Sequence, residues 1–260
     1  MAYQTIKLEY DGPLVTVTLN RPEKRNAISD AMISEIPKAL AEIEQSSAQI
    51  LIMTGAGSAF CAGMDLETLR SISEQTRAEH LEDARRMGYL FQSLYTFPKP
   101  VICAVNGAAI AGGTGLATLA DFTLAVPEAK FGYTEVRIGF LPAVVSVFLI
   151  RQVGEKRARE LLLSARIFDA EEARSLGLVT ELVPADRLMH EARVLAGSLL
   201  ASSPASLRRT KWLILNWNAK DIERDLELAV HESAEIRLTQ DFSEGLSAFL
   251  ERRKPGWTGR

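Results

Sequence analysis

Residues 106–135, NGAAIAGGTGLATLADFTLAVPEAKFGYTE, hold the residue types that can act on a carbonyl compound. Gly112 and Gly113 follow an apolar run and precede small residues able to start a helix. A helix start carries backbone N–H groups without internal partners, at the positive end of its dipole. Glycine lets a ligand approach such donors closely, because no Cβ intervenes. Donors of this kind suit a carbonyl oxygen as it takes on negative charge. Glu135 ends the stretch with one carboxylate. An oxyanion site followed by a carboxylate is a set for proton transfer beside an activated carbonyl. The same residues also fit a packing role: paired glycines serve helix–strand contacts, and a single Glu commonly sits in solvent or in an ion pair.

Other chemistries find little support. The chain has three histidines, His80, His190 and His231, none close in sequence to the glycine turns, and two cysteines, Cys61 and Cys103, without CxxC spacing. A zinc site, a Cys/His nucleophile pair and a disulfide framework are therefore not expected. There is no GxGxxG between a strand and a helix, no P-loop, no HExxH and no GxSxG. Net charge is −3, so there is no basic field for a nucleic acid. The uncharged run 101–120 is long enough to span a bilayer. Four glycines and Asn106 interrupt it, and its length equally fits a buried strand plus a buried helix. No membrane partner is expected. The N-terminus opens on strand-like alternation without an apolar signal core, which points to the cytoplasm.

The elements that must position these residues are read in order. Residues 5–10 and 14–19 alternate around Asp11-Gly12-Pro13, a β-hairpin. A helix is predicted over 30–45, with Pro37 bending it or detaching its first turn. Residues 50–54 read as a buried strand, and 59–66 (AFCAGMDL) as a second small-residue turn. The polar stretch 67–80 reads as mobile, before a helix over about 78–95. A strand over 101–105 leads to the glycine turn, and 117–126 continues as helix then strand. Asp169 and Glu172 have capping-box spacing, and 178–183 reads as a strand. From about residue 191 onward the pattern is helical. These expectations describe an α/β protein with a core over 1–195 and a helical region over 196–260 that packs on the core or on a neighbouring chain.

The segments Leu14-Val15-Thr16-Val17-Thr18-Leu19-Asn20-Arg21-Pro22, AFCAGMDL, VNGAAIAGG and Glu244-Gly245-Leu246-Ser247-Ala248-Phe249, in this order and at these spacings, resemble the enoyl-CoA hydratase/isomerase, or crotonase, superfamily. The resemblance covers nearly the whole chain. It implies a spiral of ββα units with C-terminal helices that build homotrimers, commonly paired into hexamers. It also implies an acyl-CoA substrate whose coenzyme A is part of the substrate, with no separate cofactor and no metal, and a place in fatty acid metabolism. The oxyanion hole falls on the backbone N–H groups of Met64 and Gly112. Coenzyme A falls along Arg25, Ala62, Met64, Asp65, Leu66, Glu67 and Gly112, and on Phe249 near the basic tail Arg252-Arg253-Lys254.

One position departs from the pattern. The usual hydratase has two glutamates; the second matches Glu135, and the first falls on Gly115, which cannot exchange a proton. The segment TEVRIGFLPAVVS looks most like the methylglutaconyl-CoA hydratase-like branch, where Gly also occupies that site. The leading expectation is a hydro-lyase, an enoyl-CoA hydratase using Glu135 as acid/base. The alternatives are an enoyl-CoA isomerase using Glu135 alone and a non-catalytic acyl-CoA-binding protein.

Overall fold

A computed structural model describes residues 3–72, 75–217 and 219–260. The chain opens with the antiparallel hairpin β1 (Ile6–Asp11) and β2 (Leu14–Leu19), then α1 (Asp30–Gln45), whose N-cap Ser29 accepts a hydrogen bond from Met32 N. Pro37 lies inside α1, which stays one helix instead of losing its first turn. Next come β3 (Ile50–Gly55), β4 (Ala59–Cys61), α2 (Leu66–Ile72), α3 (Arg77–Tyr95), β5 (Val101–Val105), β6 (Ala108–Ile110), α4 (Gly112–Thr118), β7 (Phe122–Ala125) and β8 (Lys130–Gly132). The rest is mainly helical: α5 (Ala143–Ser164), β9 (Phe168–Asp169), α6 (Ala170–Ser175), β10 (Glu181–Leu182), α7 (Leu188–Leu200), α8 (Pro204–Trp217), α9 (Ala219–Glu235) and α10 (Gln240–Glu251). The uncharged run 101–120 is divided among β5, β6 and α4. Among the described residues no helix is long and apolar enough to cross a membrane.

Two sheets result. The larger has the order β1-β2-β3-β5-β7-β10, and its pairings from β2 to β10 are parallel. Buried on both faces, its central strands need apolar residues at every position, and β3 and β5 are buried throughout. The smaller sheet has the order β4-β6-β8-β9, with β4, β6 and β8 parallel. The strands β3-β4, β5-β6 and β7-β8 repeat one scheme. The first of each pair enters the large sheet, the second enters the small one, and a turn and helix follow. This is the ββα spiral.

Several expectations change. The polar stretch 67–80, read as mobile, contains packed helix: residues 66–72 form α2, and Leu69 and Ile72 are buried against Phe242 and Leu246 of α10. Residues 73 and 74 of that stretch lie outside the described residues. Asp169 caps α6 by accepting from Glu172 N at 2.9 Å, but the Glu172 carboxylate turns to Arg166 at 2.8 Å, so the capping box is only half formed. The strand expected over 178–183 is two residues long. Helix α5 contains a break at Gly154 (φ 76°). The boundary at 195/196 falls inside α7, whose Leu188, Ala192 and Ala196 are buried in the main core.

Candidate active site

Three parallel strands of the small sheet end side by side, and each leads into a site residue. After β4 the chain is held by Ile28. Ile28 N donates to Gly63 O at 2.7 Å, and Asp65 N donates to Ile28 O at 2.9 Å. Successive residues of an extended strand direct their N–H groups to opposite sides. The Met64 N–H therefore points away from Ile28. Gly63 has φ +92°, a value open to glycine, and a Cβ there would meet Ile110 O at 3.1 Å.

After β6, Ala111 takes the sparsely populated conformation φ 53°, ψ −125°, and its N–H donates to Gly132 O at 2.6 Å. The next residue, Gly112, begins α4, where an amide has no partner within the helix. Among the described residues neither the Met64 nor the Gly112 N–H donates a hydrogen bond. The two turns press together: a Cβ on Gly113 would lie 2.3 Å from Cys61 O. Thr114 locks the second turn to β8, accepting from Gly132 N at 3.1 Å while its hydroxyl donates to Ala109 O at 2.6 Å.

Three residues beyond β8, Glu135 starts a short 3-10 helix over Glu135–Ile138. Its side chain is buried, and its Oε2 has no hydrogen-bond partner. Burial pushes its carboxyl up to about 7. A carboxyl with that value exchanges protons readily at neutral pH.

Met64, Gly112 and Glu135 line one cavity of about 780 Å³. Its inner walls include Ile28, Met87, Phe91, Leu141, Val144 and Val145. Charged residues stand at its mouth, with Lys24 paired to Glu67 and Arg253 to Glu244. Arg25, Ala62, Asp65, Leu66 and Phe249 also line it. Leu66 and Phe249 are about half exposed. Arg25 takes the left-handed conformation (φ 51°), and its carbonyl accepts from Ala62 N at 3.0 Å. The Asp65 carboxylate is committed to the fold: it pairs with Arg21 at 2.7 Å and accepts from Glu67 N at 2.8 Å. Arg21 and the backbone bond hold it below the usual carboxylate range against the opposing effect of burial. Glu67 is the candidate that the structure does not bring into the cavity; its exposed carboxylate pairs with Lys24 at 3.2 Å.

Gly115 is buried beside the cavity. A Cβ there would come to 2.5 Å from Phe91 Cε1 and 2.7 Å from Val145 Cγ1. Apolar groups thus fill the space that a side chain on residue 115 would need. Sequence reasoning did not single out Phe91 or Val145, because each reads as an ordinary core position of its helix. Nor did it find Ser233 and Arg237, which line the cavity from the helical region. A Ser and an Arg within a helical pattern carry no motif.

Comparison with known proteins agrees with this architecture. A sequence model described as enoyl-CoA hydratase/isomerase matches residues 9–260. The chain is 42% identical over 245 residues to a Thermus thermophilus protein provisionally named as an enoyl-CoA hydratase, covering 94% of this chain and 97% of that one. It is 34% identical over 267 residues to the crotonyl-CoA hydratase of Syntrophomonas wolfei, covering all of both chains. The crystal structure of an enoyl-CoA hydratase from Mycobacterium avium superposes with a TM-score of 0.86 at 31% identity, over 98% of this chain and 99% of that one. From the whole-chain match and the shared fold, the protein belongs to the enoyl-CoA hydratase/isomerase family and is an enzyme.

Proposed function

We propose that this enzyme adds water to the double bond of a 2-enoyl-CoA thioester. The observation that carries the reading is the meeting, in one cavity, of two backbone donors that make no hydrogen bond among the described residues with a buried carboxylate near neutrality whose Oε2 has no partner. The thioester oxygen lies against Met64 N–H and Gly112 N–H. Glu135 takes a proton from a water molecule while the water oxygen bonds to C3. The electron pair of the C2–C3 bond moves toward the carbonyl, and the two amides stabilise the enolate charge. Glu135 then gives the proton to C2 and returns to its ionised form. The coenzyme A moiety is part of the substrate, and the basic mouth at Lys24, Arg25 and Arg253 suits its phosphates. The two relatives described above have names of hydratases, which favours water addition.

A second reading has one specific observation behind it. With Phe91 and Val145 occupying the space at Gly115, that position supplies no second carboxylate to work beside Glu135. One carboxylate is enough to take a proton from C2 of a 3-enoyl thioester and return it at C4, which is isomerisation.

The experiment is incubation with matched 2-enoyl- and 3-enoyl-CoA esters, read by mass spectrometry for a gain of water and by ultraviolet absorbance for the conjugated thioester. Hydration of the 2-enoyl ester faster than conversion of the 3-enoyl ester is expected, and the opposite order would establish the isomerase. Gly112→Val is the companion variant. A Cβ at residue 112 would meet Ile28 Cδ1 at 3.2 Å, a flexible neighbour, so the fold should survive. Turnover should drop roughly a hundredfold or more, as for loss of one oxyanion donor. Undiminished turnover in folded Gly112→Val would remove the oxyanion assignment.

We further propose that the helical region over 196–260 mediates homotrimer assembly, with hexamers as paired trimers, and that the enzyme works in the cytoplasm. Helix α8 supports the first point: among its described residues none is buried, and Trp212, Leu213, Ile214 and Trp217 are all exposed.

A further inference from the structure

The Glu135 carboxyl is aimed by the backbone that carries it. Its Oε2 has no hydrogen-bond partner, and the hydrogen bond that lowers its pKa comes from its own main chain. The residues that follow must therefore hold it in line with Met64 and Gly112. Phe140 N donates to Glu135 O at 3.1 Å and closes the 3-10 turn. Ile138, Gly139 and Phe140 then each meet α10. Gly139 has φ +68°, and a Cβ there would lie 2.3 Å from Asp241 O. The Phe140 and Phe242 ring centroids are 5.6 Å apart. The Ile138 carbonyl lies against Gly245, where a Cβ would come to 2.5 Å from both its carbon and its oxygen. Glycine weakens a helix interior, and in the middle of α10 it permits this approach of main chain to main chain.

The same glycine is pressed from a second side. A Cβ on Gly245 would also lie 2.7 Å from Trp257 Cη2. The indole and the Ile138 carbonyl thus meet over one missing side chain. Trp257 reaches this point because the chain reverses after α10. Arg252 takes the left-handed conformation (φ 56°), and the residues beyond it run back along the helix. Two carboxylates of α10 hold this tail. Glu244 accepts from Arg253 through both oxygens, at 2.6 and 2.9 Å, and from Gly256 N at 2.7 Å. Asp241 accepts from Thr258 N at 2.6 Å and from Gly259 N at 3.0 Å, and Asp241 N donates to Arg260 O at 3.0 Å. Trp257 stands between Gly256 and Thr258, so its main chain is fixed on both sides.

Trp257 is about half exposed and does not line the cavity. It touches no ligand there and adds less to the core than the buried Phe242 or Leu246. Its contact at Gly245 passes to Ile138, which shares one 3-10 turn with Glu135. Without the indole, that turn loses one of its walls. A general acid–base group must stay within hydrogen-bond reach of the proton it moves. A displacement of about 1 Å, caused far from the chemistry, can cost roughly a hundredfold in rate.

We propose that Trp257 is a positioning residue of the active site, acting through Gly245 and Ile138 to keep the Glu135 carboxyl in reach of the reacting carbons. The proposal rests on the acid/base reading of Glu135 given above.

The test compares wild type with Trp257→Ala, Trp257→Phe, Glu135→Gln and the double variant Trp257→Ala/Glu135→Gln. Folding is checked by urea unfolding. Turnover is measured with whichever enoyl-CoA ester of the matched set above the wild type converts fastest. Binding is measured by titration calorimetry with the saturated ester of the same chain. Trp257→Ala should lower kcat roughly ten- to a hundredfold. Its Kd for the saturated ester should change by less than about threefold, since Trp257 does not line the cavity. Trp257→Phe has a shorter ring and should fall between Ala and wild type. In the Glu135→Gln background the Ala substitution should change the residual turnover by less than about twofold, because no proton-exchanging carboxyl remains to be placed. A tail that served stability alone would lower the urea midpoint and leave the kcat of the folded enzyme unchanged.

An unchanged kcat in folded Trp257→Ala overturns the proposal. So does a full loss repeated in the Glu135→Gln background, or an equal weakening of saturated-ester binding. If Trp257→Ala does not fold, Trp257→Phe, alone and combined with Glu135→Gln, decides by the same comparison. The two readings fail separately. Undiminished turnover in Glu135→Gln would remove the acid/base reading and this proposal with it. A loss in Glu135→Gln with none in Trp257→Ala would remove the positioning role alone.

Discussion

Phe91 lies against Gly115 so closely that a β-carbon on the glycine would come to 2.5 Å from the ring carbon Cε1. Gly115→Glu would place a carboxylate at this position. The structure leaves it no room. Even Gly115→Ala should cost about 1–3 kcal/mol through overpacking. Gly115→Glu should lower stability further and give no gain in hydration, checked by urea unfolding and a hydration assay. Adding Phe91→Ala should recover part of the lost stability; a stable Gly115→Glu single variant would show that the ring yields.

Glu135→Gln keeps the shape of the side chain and removes proton exchange. Turnover should fall roughly 10²–10⁴-fold while binding of a saturated acyl-CoA persists. Activity that survives the substitution would remove Glu135 from the chemistry.

The same variant should be more stable than wild type at alkaline pH. Burial raises the Glu135 carboxyl from 4.5 in the unfolded chain to about 7 in the native state. Below pH 4.5 both states hold the proton, and the carboxyl costs the fold nothing through ionisation. As pH rises from there toward 7 the unfolded chain ionises first, so native stability falls, by up to about 3 kcal/mol above pH 7. Gln escapes this loss. The difference in urea midpoint between Glu135→Gln and wild type should grow from about pH 4.5 to 7 and then level off.

Rate should follow the opposite limb. Both the hydration and the isomerisation schemes begin with ionised Glu135, so kcat/KM should drop about tenfold per pH unit below about 7 and plateau above it. A profile that falls as pH rises through 7 would mean that the protonated carboxyl starts the reaction.

Trp212→Glu with Trp217→Glu should convert an oligomer into monomers in light scattering, since both indoles are exposed on α8. A monomeric wild-type protein at micromolar concentration would count against assembly through this helix.

Much of the site could be read from the chain because it is built locally. Met64, Gly112 and Glu135 each follow a short strand, and their surroundings are written in contiguous residues. What could not be read was contributed across long sequence distances. Arg237 meets Asp83 across 154 positions, with nothing in either neighbourhood to announce the pair. The stretch that holds α2 read as mobile because its buried apolar residues, Leu69 and Ile72, find their partners far along the chain in α10. Gly115 read as an empty place in a motif, whereas α3 and α5 supply the atoms that fill it. Glu67 followed the motif in sequence, but its pairing with Lys24 keeps it outside.

The cavity wall runs from Glu23, near the start of the chain, to Pro255 beyond α10. The chamber lacks its last side unless α10 is docked on α2. A complete chamber therefore requires the whole chain to be in place. A bound acyl-CoA reports that the last helix has arrived, and it adds to the stability of the finished molecule alone.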